Sequence, residues 1–345
     1  MPSVYGIGNP LMDTIILVDF DVLRKLGKPR GSMNLVDYRE ITEILGEIGN
    51  LEDCSVRRVP GGSCANTVRG IAWFKKNWFN KKESGGIGEL VYSGGVGNDE
   101  TGNYYSQLLR EYGILTVMSK KNSPTGMSLI LVTPDHERTM FTYLGACREY
   151  NKNDTDYSLL GNSKYLYFVG FMWDTESQRE AINRAVEYAR NRGTKVCFDL
   201  AGPFVVERYR REFLEWIPGN VDILLGNREE FEGLAGVGSS ENDILDFLTK
   251  LSPVAVMKCG EEGCLVGERE ERGEVVLDRI PAYRVEAVDT TGAGDSFAAG
   301  FLFGLLIGRS YAESARLGNA IASQIVTVEG CDYESVDFER IQRGR

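Results

Sequence analysis

From Lys164 onward, short β-branched or aromatic runs alternate with segments of helical period, and this alternation constrains the fold more than any other feature of the chain. Lys164-Tyr-Leu-Tyr-Phe-Val169 reads as a buried strand. Thr175 and Gln178 read as a capping box, after which Ala181, Ile182, Ala185, Val186 and Ala189 form one helical stripe that Gly193 closes. Further strands are expected at Lys195 to Leu200, Val221 to Leu225 and Val254 to Lys258. Strand, helix, strand in succession requires right-handed crossovers, which predicts an α/β fold with a doubly wound, mainly parallel sheet and helices on both faces. Such sheets bind ligands beyond the carboxyl ends of their strands. The segments at those ends are Gly170-Phe171-Met172, Ala201-Gly202-Pro203-Phe204, Gly226 to Glu230 and Cys259 to Gly263.

The N-terminal half follows a different pattern. Asp13 to Asp19, Thr125 to Thr133 and Arg138 to Leu144 read as extended, the last two flanking a turn at Pro134 as in a hairpin. Strands without intervening helices predict a small β-sheet lid, drawn from residues 13–60 and 117–145, with hinges at Gly61-Gly62 and Gly145. The remainder of 1–345 is expected to form one large domain with which the lid makes a single unit.

Composition removes several classes of function. Acidic residues outnumber basic ones 50 to 39, a formal charge of −11, so no broad basic face for nucleic acid is expected. The N-terminus lacks the basic and apolar regions of a secretory signal, and the longest apolar run, Phe297 to Ile307, is too short to span a bilayer. A cytoplasmic protein with no membrane partner is expected. The seven cysteines include no C-x-x-C pair, which argues against a zinc knuckle or a disulfide framework. His136 is the only histidine and sits in the Pro134 turn, so two-histidine metal chemistry is excluded. Gly6-Ile-Gly8 lacks the third glycine of a dinucleotide fingerprint, since position 11 is Leu, and no P-loop motif occurs.

Asp289-Thr-Thr-Gly-Ala-Gly-Asp-Ser-Phe297 runs straight into an apolar helix. Glycines at 292 and 294 leave backbone N–H groups uncovered at a helix N-terminus, where the dipole favours an anion such as a transferring phosphate. A carboxylate at Asp295 beside that nest suits the base that takes a proton from an attacking hydroxyl, although the same residue also reads as a helix N-cap. Asn227-Arg-Glu-Glu230 follows a strand and puts an amide and a carboxylate at the same edge, where Glu230 acts on a hydrated Mg²⁺ or else is an exposed first-turn glutamate. Gly8 to Asp13 places Asp13 at the exit of a short first strand. Asp13 and Asn66 are each suited to a vicinal diol, with a helix cap as the competing role for Asn66.

Gly61-Gly62 to Asn66 and Asp289 to Phe297 resemble the two signatures of the ribokinase-like (PfkB) carbohydrate kinase family. Gly95-Val-Gly-Asn-Asp99 with Gly102, and Asn227 to Glu230, resemble two further family segments. Gly8 to Asp13, Asp199 to Phe204, Val221 to Asn227 and Arg138 to Gly145 are most similar to the branch that phosphorylates adenosine. The resemblance implies ATP and Mg²⁺ as cofactors and an in-line transfer to the 5′-hydroxyl of a nucleoside, with a sugar such as ribose or fructose as the alternative acceptor. It implies Asp295 as base, Gly292, Ala293 and Gly294 as the anion hole, and Arg138 reaching the phosphate from the lid unless it is an exposed hairpin arginine. Asn9, Asp13, Gly62, Ser63 and Asn66 would hold the ribose, and Phe171 and Phe204 bracket a base or belong to the core. Met172 is grouped with these two as apolar surface. ATP would meet Asn227, Lys258, Gly260, Gly263 and Asn319, and K⁺ would lie at Asp289 and Thr291. A monomer or homodimer is expected. Two departures, Asp199 in place of asparagine and Gly145-Ala-Cys147 in place of a more alanine-rich stretch, bear on the acceptor rather than on phosphoryl transfer.

Overall fold

The computed structural model describes residues 2–49, 56–78, 86–135, 137–236 and 240–343, so His136 lies outside it. Its fourteen strands are β1 (Val4–Ile7), β2 (Leu11–Leu17), β3 (Met33–Leu35), β4 (Val56–Gly61), β5 (Leu90–Gly97), β6 (Ile114–Lys121), β7 (Gly126–Val132), β8 (Arg138–Tyr143), β9 (Tyr165–Val169), β10 (Lys195–Asp199), β11 (Ile223–Asn227), β12 (Val254–Lys258), β13 (Cys264–Arg269) and β14 (Val275–Ile280). Nine form one sheet in the order β14-β13-β12-β11-β10-β9-β1-β5-β6. From β12 to β6 every pairing is parallel, and β13 and β14 close one edge antiparallel. The expected strands after Lys164 are all present.

Parallel strands need both faces covered. On one face the helices Ser63–Trp78, Ala293–Leu306 and Tyr311–Ile325 pack with Val68, Ile71, Phe301 and Ile321 fully buried. The helix Ala293–Leu306 is apolar nearly all round because its neighbours enclose it. The opposite face carries the helices Glu176–Asn191, Pro203–Trp216, Arg228–Ala235 and Glu241–Leu251, burying Ile182, Val206, Phe213 and Ile244.

The remaining strands make the lid, in the order β3-β8-β7-β2-β4. Two expectations are corrected here. The lid is not free of helices: Phe20–Leu26 and Tyr38–Gly49 cover one face, where Leu23, Ile41, Ile44 and Ile48 pack on Ile16, Leu129, Leu131 and Phe141. A five-stranded sheet whose other face covers a site needs its own core, and these helices supply it. The boundaries also shift, since β2 begins at Leu11 and β6 stays in the large sheet through Lys121. Two of the crossings between the sheets fall at Gly62 (φ 95°) and Gly145 (φ 48°), and the others lie between β1 and β2 and between β6 and β7. Among the described residues no helix is long and apolar enough to cross a membrane.

Candidate active site

The site begins at the turn before the helix Ala293–Leu306. Gly292 is its N-cap, with φ 75°, and a Cβ there would lie 2.7 Å from the Cβ of Cys331, so only glycine fits. The cap is therefore Gly292 and not Asp295, which occupies the first turn. The Ala293 N–H donates to the Thr290 carbonyl at 3.2 Å, while the next amides of a helix N-terminus have no intrahelical acceptor.

Asp295 receives hydrogen bonds from Ser63 Oγ at 2.6 Å and Asn66 Nδ2 at 2.9 Å, and its backbone carbonyl accepts from Thr67 Oγ1. Asn66 is thus no helix cap; it lies within the helix Ser63–Trp78, and both it and Ser63 spend donors on the carboxylate. Burial raises the Asp295 pKa, Ser63 and Asn66 counter that, and Asp199 and Lys258 act in opposite directions from further off. Asp13 faces the same region from the lid. Its carboxyl is pushed up to about 7, first by burial and then by Asp295, against the pull of Arg69 and Arg138. Among the described residues no donor is hydrogen-bonded to it. A Cβ on Gly61 would lie 2.1 Å from an Asp13 oxygen, so a larger residue there would displace this carboxylate. A small cavity between lid and body is lined by Asp13, Asn66, Arg69, Arg138 and Thr291.

Behind the glycine turn, Lys258 at the end of β12 donates to both oxygens of Asp199 at 2.9 Å. A Cβ built on Gly294 would meet only the Lys258 Nζ, at 3.5 Å, so the ammonium borders the turn. Asn227 caps the helix Arg228–Ala235 in a capping box with Glu230, whose oxygens accept from the Asn227 backbone N–H and Nδ2. Glu230 is 3% exposed, which overturns the reading of an exposed helix glutamate. Burial raises its pKa, Asp199 adds to this, and Lys258 opposes it. Gly260 (φ 57°) and Gly263 (φ 97°) shape the turn from β12 to β13. Asn319 spends its side-chain amide on the carbonyls of Ile280 and Pro281, holding the end of β14.

Arg138 is partly buried, its side chain 11% exposed, and is no free hairpin arginine. It reaches from β8 to Asp289, 2.5 Å away, with Thr291 Oγ1 at 3.5 Å. The Asp289 carboxylate also accepts from the amides of Thr291 and Gly330. A guanidinium and two N–H groups fix this carboxylate beside Thr291, the position expected for K⁺.

Asn9 is buried and braces the acceptor side, donating to the Phe171 carbonyl at 3.4 Å and accepting from Gln178 Nε2 at 2.8 Å. Gln178 was expected to complete a capping box; Thr175 does cap the helix, but the glutamine amide turns inward to Asn9 and the Cys147 carbonyl. Phe171 and Phe204 stack with centroids 5.8 Å apart and planes at 24°, and Phe204 is 51% exposed. Met172 is corrected: it is fully buried in the core and offers no surface. Ala201, just past β10, is the one described non-glycine residue at positive φ (63°), a strained position of the kind that gathers at functional loops. Sequence reasoning missed Arg69, whose signal was a lone charge on an apolar helical stretch, one turn after Asn66.

A doubly wound sheet whose helix-terminus turn faces a β-lid is the architecture of a small-molecule kinase. The chain belongs to the pfkB family of carbohydrate kinases, whose description matches residues 31–337. It is 34% identical to the adenosine kinase structure from Sinorhizobium meliloti, with a TM-score of 0.80 over 96% of this chain and 95% of that one. It is 30% identical to a probable sugar kinase structure from Rhizobium etli, with a TM-score of 0.83 over 99% and 98%. A 5-dehydro-2-deoxygluconokinase of Bacillus subtilis is 25% identical over 94% of this chain and 95% of its own. The protein is a kinase.

Proposed function

We propose that this kinase transfers the γ-phosphoryl group of ATP to the 5′-hydroxyl of adenosine, giving AMP and ADP. The observation that carries the reading is Asp295, a buried carboxylate within the first turn after Gly292 and on the acceptor side of the lid. Its oxygens, although bonded to Ser63 and Asn66, each keep a lone pair for a substrate hydroxyl. The hydroxyl oxygen attacks the γ-phosphorus, the bridging oxygen leaves with ADP, and the proton goes to Asp295. The turn amides, Lys258 and Arg138 supply positive charge for the transferring group.

Mg²⁺ would arrive with the nucleotide. Such an ion would be held mainly by phosphate oxygens and water. Glu230, with Asn227, would orient that hydrated ion, and the raised pKa of Glu230 suits a carboxylate whose charge a nearby cation would restore.

Adenosine is favoured by the Phe171–Phe204 stack next to Asn9, a flat apolar surface that a bare sugar does not use. Base stacking contributes about 1–3 kcal/mol, or roughly 5- to 150-fold in specificity. The alternative acceptor, ribose, fructose or a related sugar, is favoured by Asp13, Asn66, Arg69 and Arg138 among the side chains that line the cavity beneath the lid. Measuring kcat/KM for adenosine, inosine, ribose and fructose under one set of conditions tests the choice. Adenosine is expected to lead; a preference for either free sugar would overturn the nucleoside reading and leave the kinase intact.

A further inference from the structure

Arg69 is 3% exposed, yet among the described residues it forms no ion pair with a carboxylate. Its Nη1 donates to the Pro60 carbonyl at 2.8 Å and to Asn66 Oδ1 at 3.3 Å. Nη2 donates to the Tyr112 hydroxyl at 3.3 Å and the Cys331 carbonyl at 3.4 Å, and the buried Nε has no partner. The rings of Tyr112 and Tyr333 lie 4.9 and 5.9 Å from the guanidinium. The Asp13 carboxyl lines the same cavity and feels this charge without bonding to it, and a buried cation with no bonded counter-ion costs free energy. Methionine would fill the same volume without that cost, so the polar contacts call for an explanation.

The contact with Asn66 provides one. A side-chain amide has one accepting oxygen and one donating NH₂, and a half-turn exchanges them. In the flipped orientation the NH₂ would face the guanidinium and the oxygen would face the Asp295 carboxylate, so both contacts would become repulsive. Donation from Arg69 selects the orientation in which Nδ2 points at Asp295, and the two residues are placed for this by lying one helical turn apart. We infer that Arg69 is a positioning residue that fixes the Asn66 amide and through it the orientation and ionisation of Asp295.

This rests on the reading of Asp295 as base. Of the charged groups around Asp295, Asp13 and Asp199 repel it and Lys258 attracts it. Arg69 and Arg138 act on Asp13. The neighbouring thiols of Cys64 and Cys331 and phenols of Tyr167 and Tyr333 have raised pKa values and stay neutral. Without the oriented amide, Asp295 loses a hydrogen bond to its charged form, so its pKa rises and the acid limb of the rate profile moves to higher pH.

The test compares Arg69→Lys, Arg69→Met, Asn66→Ala and Arg69→Lys/Asn66→Ala for kcat, ATP KM, the pH profile of kcat and thermal unfolding, with the best acceptor of the panel. Lysine keeps the charge but loses the planar fork. Arg69→Lys is expected to lower kcat by roughly tenfold, with ATP KM changed by less than about twofold, and to move the acid limb upward. The double variant is expected to be no slower than Asn66→Ala, because the two act through one contact. If Arg69→Met does not fold, the lysine variant and the cycle still decide. Unchanged kcat and acid limb in Arg69→Lys, or losses that multiply in the double variant, would overturn the inference. Asp295→Asn, measured alongside, separates the two readings: normal turnover there removes the base itself, whereas a large loss there with a silent Arg69 removes only the positioning role.

Discussion

Arg138 on lid strand β8 lies 2.5 Å from Asp289, three residues before the glycine turn, and each side chain is only about a tenth exposed. The pair ties the lid to the loop that builds the turn. Removing one partner of a fully buried pair costs about 3–5 kcal/mol, and the cost is smaller here because both side chains are partly exposed and Asp289 keeps two amide donors. Since lid and body have separate cores, that cost falls mainly on the closed arrangement of the two. Arg138→Met is therefore expected to lower kcat/KM by roughly 10²-fold or more with little change in unfolding temperature, and Arg138→Lys to restore little of it. Steady-state kinetics with calorimetry checks this; a large fall in unfolding temperature at full activity would contradict it.

Asp295→Asn is expected to keep the fold and ATP binding while turnover falls roughly 10²- to 10⁴-fold, the usual effect of a positioned base. Asparagine keeps the shape, and its amide oxygen still accepts from Ser63 or Asn66. Nucleotide titration and steady-state rates measure the two parts separately, and a loss under about threefold would remove Asp295 from the base role.

Asp13 gives a pH signature in both stability and activity. Its pKa of about 7 in the fold compares with about 3.9 in an unfolded chain. The folded state holds the proton more tightly, so this stabilisation is full below the unfolded value and is lost as pH rises through about 7. Asp13→Asn does not titrate and is expected to melt higher than the parent at pH 8, the gap closing towards pH 4. In the parent, kcat/KM for the acceptor should fall as pH drops through about 7, since only the carboxylate accepts from two hydroxyls. Parallel melting curves for the two proteins would show that Asp13 is not strained by burial.

Glu230→Gln is expected to raise the Mg²⁺ concentration for half-maximal rate, because it removes the charge that orients the hydrated ion and leaves the base in place. The capping box keeps an oxygen for the Asn227 N–H but loses the bond from Asn227 Nδ2, so a modest loss of stability is expected alongside. A magnesium titration with an unmoved midpoint and a normal maximal rate would leave Glu230 with only its cap.

The residue pattern by itself determined the strands after Lys164, the glycine turn at 292–294 and the two sheets, because these depend on local period, local φ and the burial of short apolar runs. It also marked Asp295, Asn227 and Asp13 as chemical groups. The partners of those groups were decided by tertiary structure. Ser63 and Asn66 meet Asp295 across 232 and 229 residues, and Gln178 meets Asn9 across 169. The burial of Glu230, the helices over the lid and the filling of the Asp289 carboxylate by Arg138 were likewise invisible along the chain. Sequence fixes which side chains can donate, accept or ionise, whereas which of them meet, and how far burial moves their protons, depends on packing between segments that no local pattern encodes.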